Sequence, residues 1–202
     1  MSHNTLISKN NIDTIFEFLS QEYELLGGTQ KIDIFLVGGA AIVLNFNYRL
    51  STIDIDAYYK TNEAFKEATN ITSQKFQLPS DWLNSDFVNT PSYSKEIINK
   101  SKLFKSFNNL ITINTLEPNY LIAMKLKSSR PTAGDLEDII MMIYELRYKQ
   151  IPISYNDIMN AYKELYSDFS NTLDYFIKET KKALEAPLED FKHFFTKSIF
   201  DI

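Results

Sequence analysis

An α/β (α+β) fold, built as a mixed β-sheet flanked by helices with a helical C-terminal extension, is what this 202-residue sequence predicts. Three observations carry that expectation. Short apolar runs of strand length alternate with segments of 3.6-residue period as far as about residue 150. One such run, FLVGG at 35–39, passes through two glycines directly into the helical pattern AAIVLNF. From Ser154 onward the amphipathic segments all have helical spacing. The expected organisation is one sheet-containing domain over 1–150 and a helical extension over 151–202 packed on it.

The elements follow in order. Ile12, Ile15, Phe16, Phe18, Leu19, Tyr23 and Leu26 recur at helical spacing, and Gly27-Gly28 supply a C-terminal stop. KIDIFLV at 31–37 is a strand apolar enough to be central. AAIVLNF is a helix starting at Gly38-Gly39. STIDIDAYY at 51–59 alternates with period two and reads as one strand, with Ile53, Ile55 and Ala57 toward the core. A polar helix spans roughly 62–76, and LPSDWLNSDF at 78–87 is a loop holding the single tryptophan. LFKSF and LITINTL flank Asn108-Asn109, a hairpin signal. Glu117-Pro118 opens a helix to about Ser128, SRPTAGD is a loop, and DLEDIIMMIYELRYK is a strongly apolar helix. Three amphipathic helices fill Ser154 to Ser198, with Pro187 in the first turn of the last.

The hydrophobic content of 44% and charged content of 23% are those of a folded globular chain. A net charge of −5 argues against a surface that grips nucleic acid throughout, while allowing a local basic groove. With no cysteine there is no disulfide framework, thiolate metal site or thiol nucleophile. The two histidines, His3 and His193, lie near the ends and do not suggest a histidine-based site. MSHNTLISKNNID lacks the basic-then-apolar layout of a signal peptide, and no apolar run approaches the roughly 20 residues of a membrane helix. The expectation is a cytoplasmic protein with no membrane partner.

The chemistry concentrates at 35–60. A strand that ends in Gly-Gly and runs into a helix leaves free N–H groups at a positive helix end, and glycine lets phosphate approach. The spacing is neither GxGxxG nor GxxxxGK[ST], and a tight turn without ligand has the same sequence. Asp54 and Asp56, at i and i+2 of a strand, share a face with Thr52 in line, their Cα atoms about 6–7 Å apart. Carboxylates so placed can hold Mg²⁺, which takes oxygen ligands and shares them with substrate phosphates; an acidic solvated edge has the same pattern. A phosphate cradle, one helix and a paired-carboxylate strand together suit phosphoryl or nucleotidyl transfer.

The pattern VGGAA followed by RLSTIDID resembles the nucleotidyltransferase superfamily signature. LPSDWLN at 78–84, EPNYLIAMKLKSSRP at 117–131 and DLEDI at 135–139 are in addition similar to bacterial minimal nucleotidyltransferases related to AbiEii-type toxins of toxin–antitoxin systems. The resemblance runs from about residue 10 to 146. It implies a nucleotidyltransferase-like sheet, an NTP substrate with Mg²⁺, and an acceptor hydroxyl on a protein or an RNA such as tRNA. A cognate toxin or antitoxin partner is also implied. Gly38, Gly39, Thr52 and Arg49 would bind the nucleotide, Asp54 and Asp56 the metal, and Lys125 and Asp135 would act with them. Arg49 and Arg130 read either as phosphate contacts or as surface charge. Many members carry a third carboxylate on a later strand as base; the candidate strand at 110–116 offers only Thr112 and Asn114. Asp135 or Asp138 would then serve, or the chain is a degenerate scaffold with a binding or antitoxin-like role. Trp82 reads as a core plug or a base-stacking platform. Lys95, Lys100, Lys102 and Lys105 read as a solvated face or an acceptor groove.

Overall fold

The computed structural model describes residues 5–130, 132–168 and 173–189. His3, His193 and, beyond Glu189, the last of the three expected C-terminal helices lie outside them. In order, the elements are β1 (Ile7–Ser8), α1 (Ile12–Leu25), β2 (Ile32–Leu36), α2 (Gly38–Asn45), β3 (Ser51–Thr52), β4 (Ile55–Tyr58), α3 (Glu63–Phe76) and β5 (Leu83–Asn84). A 3₁₀ turn (Asp86–Asn89) and α4 (Ile97–Lys100) lead to β6 (Ser101–Phe107), β7 (Ile111–Leu116), α5 (Pro118–Ser128), α6 (Asp135–Tyr148), α7 (Tyr155–Leu165) and α8 (Leu173–Glu185).

Five strands form a mixed sheet in the order β5-β4-β2-β7-β6. The apolar β2 takes the middle place, antiparallel to β4 and parallel to β7. β4 and β5 run parallel with Asp56 opposite Asn84. β6 and β7 make the expected hairpin; Asn108 (φ 47°) and Asn109 (φ 57°) take the left-handed conformations that a tight hairpin turn demands and that asparagine tolerates.

The stretch 51–59 is not one strand. Ser51–Thr52 pairs with β1 in a separate two-stranded sheet, and Ile55–Tyr58 joins the main sheet. The chain must leave one sheet and enter the other, so the alternation resets at the break. Ile55 and Ala57 are buried as expected, but Ile53 is 57% exposed instead of facing the core.

Phe16 of α1 packs on Phe107 and on Trp82. Trp82 is fully buried and its indole N–H donates to the Thr69 carbonyl at 3.2 Å, so the tryptophan is a core plug and has no face for a nucleobase. The tail packs on the domain through α7 against α5 and α8 against α6. A capping box of Ser154 and Asp157 starts α7, and Arg147 of α6 donates to the Ala183 and Ala186 carbonyls at 2.7 and 2.8 Å. Of the tail aromatics, Tyr162, Tyr166 and Phe176 are buried and Tyr175 is exposed. Among the described residues no helix is long and apolar enough to cross a membrane.

Tyr166, just past α7, reaches back to donate a buried 2.6 Å hydrogen bond to the Ser92 carbonyl. It thereby pins the loop after the 3₁₀ turn. Tyr166→Phe leaves that acceptor unmet and is expected to cost about 1–2 kcal/mol, read from the urea midpoint, with faster proteolysis within residues 86–95.

Candidate active site

β2 and α2 are joined without a loop. Gly38 has φ +58°, a left-handed conformation that an L side chain resists, and a Cβ there would stand 3.0 Å from Asp56 Oδ2. Val37 precedes the helix with no side-chain cap, its own N–H spent on the Asp56 carbonyl at 3.0 Å. The N–H groups of Gly38, Gly39 and Ala40 therefore have no intrahelical partner and lie at the positive end of α2. At Gly39 a Cβ would meet Thr52 Oγ1 at 2.9 Å and Arg49 Nη2 at 3.0 Å. Glycine is needed here because the buried Thr52 hydroxyl and a guanidinium already occupy that side. Phosphate would approach from the Gly38 side.

That side opens into a cavity of about 360 Å³. Gly38, Asp56, Lys125 and Arg130, four residues singled out in the sequence, all line it. Its apolar walls come from Ile42, Phe87, Leu121 and Met124. Burial, then the neighbouring Asp54 charge, pushes the Asp56 carboxyl above the ordinary carboxylate range, so the two acids share one local field. Among the described residues no group of three or more His, Cys, Asp or Glu gathers into a complete metal cage. Two half-buried carboxylates fit Mg²⁺ on chemical grounds. It is a hard cation commonly held by one or two carboxylates, with the remaining ligands from phosphate and water.

Asp56 shares this cavity with a second carboxylate, which comes from a place the sequence did not suggest; Asp54 is not among the lining residues. β7, where a further carboxylate was sought, is not a neighbour of β4; the strand beside Asp56 is β5. Two residues past β5 is Asp86, exposed and lining the cavity, and its charge also raises the Asp56 pKa. β5 is only two residues long, too short for any periodicity to mark it.

Lys125 is not a solvated helix lysine. Its side chain is 12% exposed and its Nζ lies 2.8 Å from Asp135 Oδ1 and 2.7 Å from Asp138 Oδ2. Asp135 is fully buried and accepts also from Arg130, from the backbone N–H at 3.1 Å, Nε at 3.0 Å and Nη2 at 3.2 Å. Burial pushes its carboxyl up, but the hydrogen bonds from Arg130 and Lys125 outweigh it and hold the group below the usual range. A carboxylate so placed has neither the access nor the basicity to take a proton from a hydroxyl, and it serves instead to hold two cations. Asp138 is buried as well, whereas Glu137 is exposed. Arg49 Nη1 donates to Asp138 Oδ2 at 3.2 Å. The cations and acids thus alternate as Arg49, Asp138, Lys125, Asp135, Arg130, with one positive charge in surplus.

Glu145, unremarked in the sequence, anchors the loop that carries Arg49. Its carboxylate accepts from the Asn47 N–H at 2.9 and 2.8 Å and from the Tyr48 N–H at 3.1 Å. The lysine run ahead of the hairpin is largely committed to acids: Lys100 to Glu164, Lys102 to Glu117 and Lys105 to Asp13.

A family model described as "Nucleotidyltransferase of unknown function (DUF6036)" matches residues 13–183. No curated protein and no solved structure matches the chain.

Proposed function

The chain belongs to this family of nucleotidyltransferases of unknown function, and from that premise we propose that it moves a nucleoside monophosphate from an NTP to a protein or RNA hydroxyl in a Mg²⁺-dependent reaction. The observation that supports this reading best is the convergence of Gly38, Asp56, Lys125 and Arg130 on one cavity. The free N–H groups of α2 receive triphosphate oxygens, with Lys125 and Arg130 lining the same cavity. Asp54 and Asp56 would hold Mg²⁺, which would supply neutralisation of the charge developing on the phosphates. Asp86 takes the proton of the acceptor hydroxyl as its oxygen bonds to the α-phosphorus. The bond from the α-phosphorus to the bridging oxygen breaks, and pyrophosphate leaves. Asp135 stays behind Lys125 and Arg130 and does not touch the acceptor.

Similarity to AbiEii-type toxins extends the proposal to a toxin–antitoxin or phage-defence setting with a cognate partner. The test incubates the purified protein with cell lysate, Mg²⁺ and each NTP labelled at the α-phosphate. A labelled acceptor that disappears with EDTA is the expected result, and digestion by protease or by ribonuclease assigns it to protein or RNA. If no NTP gives label and none shifts the melting temperature, the transfer reading is wrong and the fold serves binding alone.

A further inference from the structure

We propose that Asp138 is a positioning residue that fixes Arg49 and Lys125 at a set spacing for one triphosphate; the inference rests on the nucleotidyl-transfer reading. Arg49 belongs to the loop after α2, whereas Lys125 belongs to α5, far along the chain. Both meet the same carboxylate: Asp138 Oδ2 lies 3.2 Å from Arg49 Nη1 and 2.7 Å from Lys125 Nζ. Asp138 Oδ1 accepts from Tyr48 Oη at 3.1 Å, which fixes the carboxylate's own orientation. Burial, then the Asp138 charge, pushes the Tyr48 phenol up, so it stays a neutral donor.

The helix that carries Asp138 is built for this purpose. Asp135, Asp138 and Glu145 fall at i, i+3 and i+10, within about 80° of one another around α6, and all three are buried. Asp135 holds Lys125 and Arg130, Asp138 holds Lys125 and Arg49, and Glu145 holds the backbone just before Arg49. Lys125 and Arg130 line the 360 Å³ cavity, while Arg49 and Asp138 line a more open one of about 250 Å³. Gly39 brings the Arg49 guanidinium against the start of α2, beside the Gly38 that lines the main cavity. The two cations therefore flank the same helix end, and long flexible side chains lose less freedom on binding when already held.

Charge alone and positioning give opposite signs. Removing a negative charge beside three cations should tighten triphosphate binding if Asp138 acts only through its field. If it positions Arg49 and Lys125, Asp138→Asn weakens binding despite that gain. The experiment is calorimetric titration of the four NTPs with Mg²⁺ into the wild type, Asp138→Asn, Asp138→Glu, Arg49→Gln and the Asp138→Asn/Arg49→Gln pair. The expected result is at least tenfold weaker binding for Asp138→Asn. Asp138→Glu, which keeps the charge but moves it by a methylene, is expected to weaken binding at least threefold. The pair should fall short of the product of the single effects by about fivefold, because the two residues act as one unit. Asp138→Glu also decides the matter should the asparagine variant fail to fold. Equal or tighter binding by a folded Asp138→Asn, unchanged affinity in Asp138→Glu, or effects that multiply overturn the proposal while leaving nucleotidyl transfer intact. Absence of NTP binding by the wild type removes both together.

Discussion

Asp56→Asn is expected to abolish monophosphate transfer and, at the same time, to raise the melting temperature of the ligand-free protein. The loss follows from the carboxylate's place at the cavity beside Gly38 and Asp54. Metal-assisted neutralisation of a reacting phosphate supplies several kcal/mol, so a drop of at least about 10³-fold is expected. The gain in stability follows from the sign of the pKa shift. Burial, and then the Asp54 charge, raises the folded-state pKa of Asp56 above its unfolded value. Its ionised form therefore opposes folding, an effect that grows as pH rises through the unfolded and then the folded pKa. Asparagine cannot ionise, so the benefit is present at pH 7 and fades below about pH 4, where the aspartate is neutral in both states. Thermal scans at pH 7 and pH 4, beside a labelling assay, read both effects. Unchanged transfer would remove Asp56 from the machinery, and a lowered melting temperature at pH 7 would make the carboxylate a structural group.

Asp135→Ala is expected to do the reverse, costing the fold about 3–5 kcal/mol because Lys125 and Arg130 lose a fully buried partner. For a chain of this size that lowers the melting temperature by roughly 10 °C. Arg130 is well exposed and contributes little to the figure; Lys125, 12% exposed, carries most of it. The Asp135 carboxyl lies below its ordinary range in the folded protein. Its stabilisation is complete above the unfolded pKa, near about 4, and is lost as pH falls through the folded value. The gap between wild type and variant should accordingly be full at pH 7 and narrow below pH 4, as urea titrations across that range will read. Adding Lys125→Met to Asp135→Ala removes a buried cation left with Asp138 as its remaining acid and should recover part of the loss. A melting temperature unchanged by Asp135→Ala would mean that the cation network is not structural.

The readable part of the site is the part that is local. Gly38, Gly39 and Asp56 sit on one strand–helix–strand passage, where backbone preference and the period of each element act over a few residues. Asp54, expected to share a strand face with Asp56 and Thr52, lies between β3 and β4, and Thr52 belongs to the other sheet. The same rule failed at Ile53, because the passage crosses from one sheet to another and a sheet boundary leaves no mark in an alternating sequence. Asp86 stayed hidden for a related reason. Its proximity to Asp56 is decided by which strand lies beside β4, and β5 is too short to announce itself.

The sequence by itself determined the order of the long helices and strands, the central place of β2, the hairpin turn at Asn108-Asn109 and the approach of the glycine turn to Asp56. All of these follow from periodicity and backbone preference over a few residues. Only the tertiary structure decided what the charges do. Asp135 looked like a base and Asp138 like either a base or a wet helix face, yet both are buried against cations from other segments. A carboxylate's role depends on which charges stand within a few ångströms and how much water reaches it. Those distances are set by packing between elements far apart in the chain.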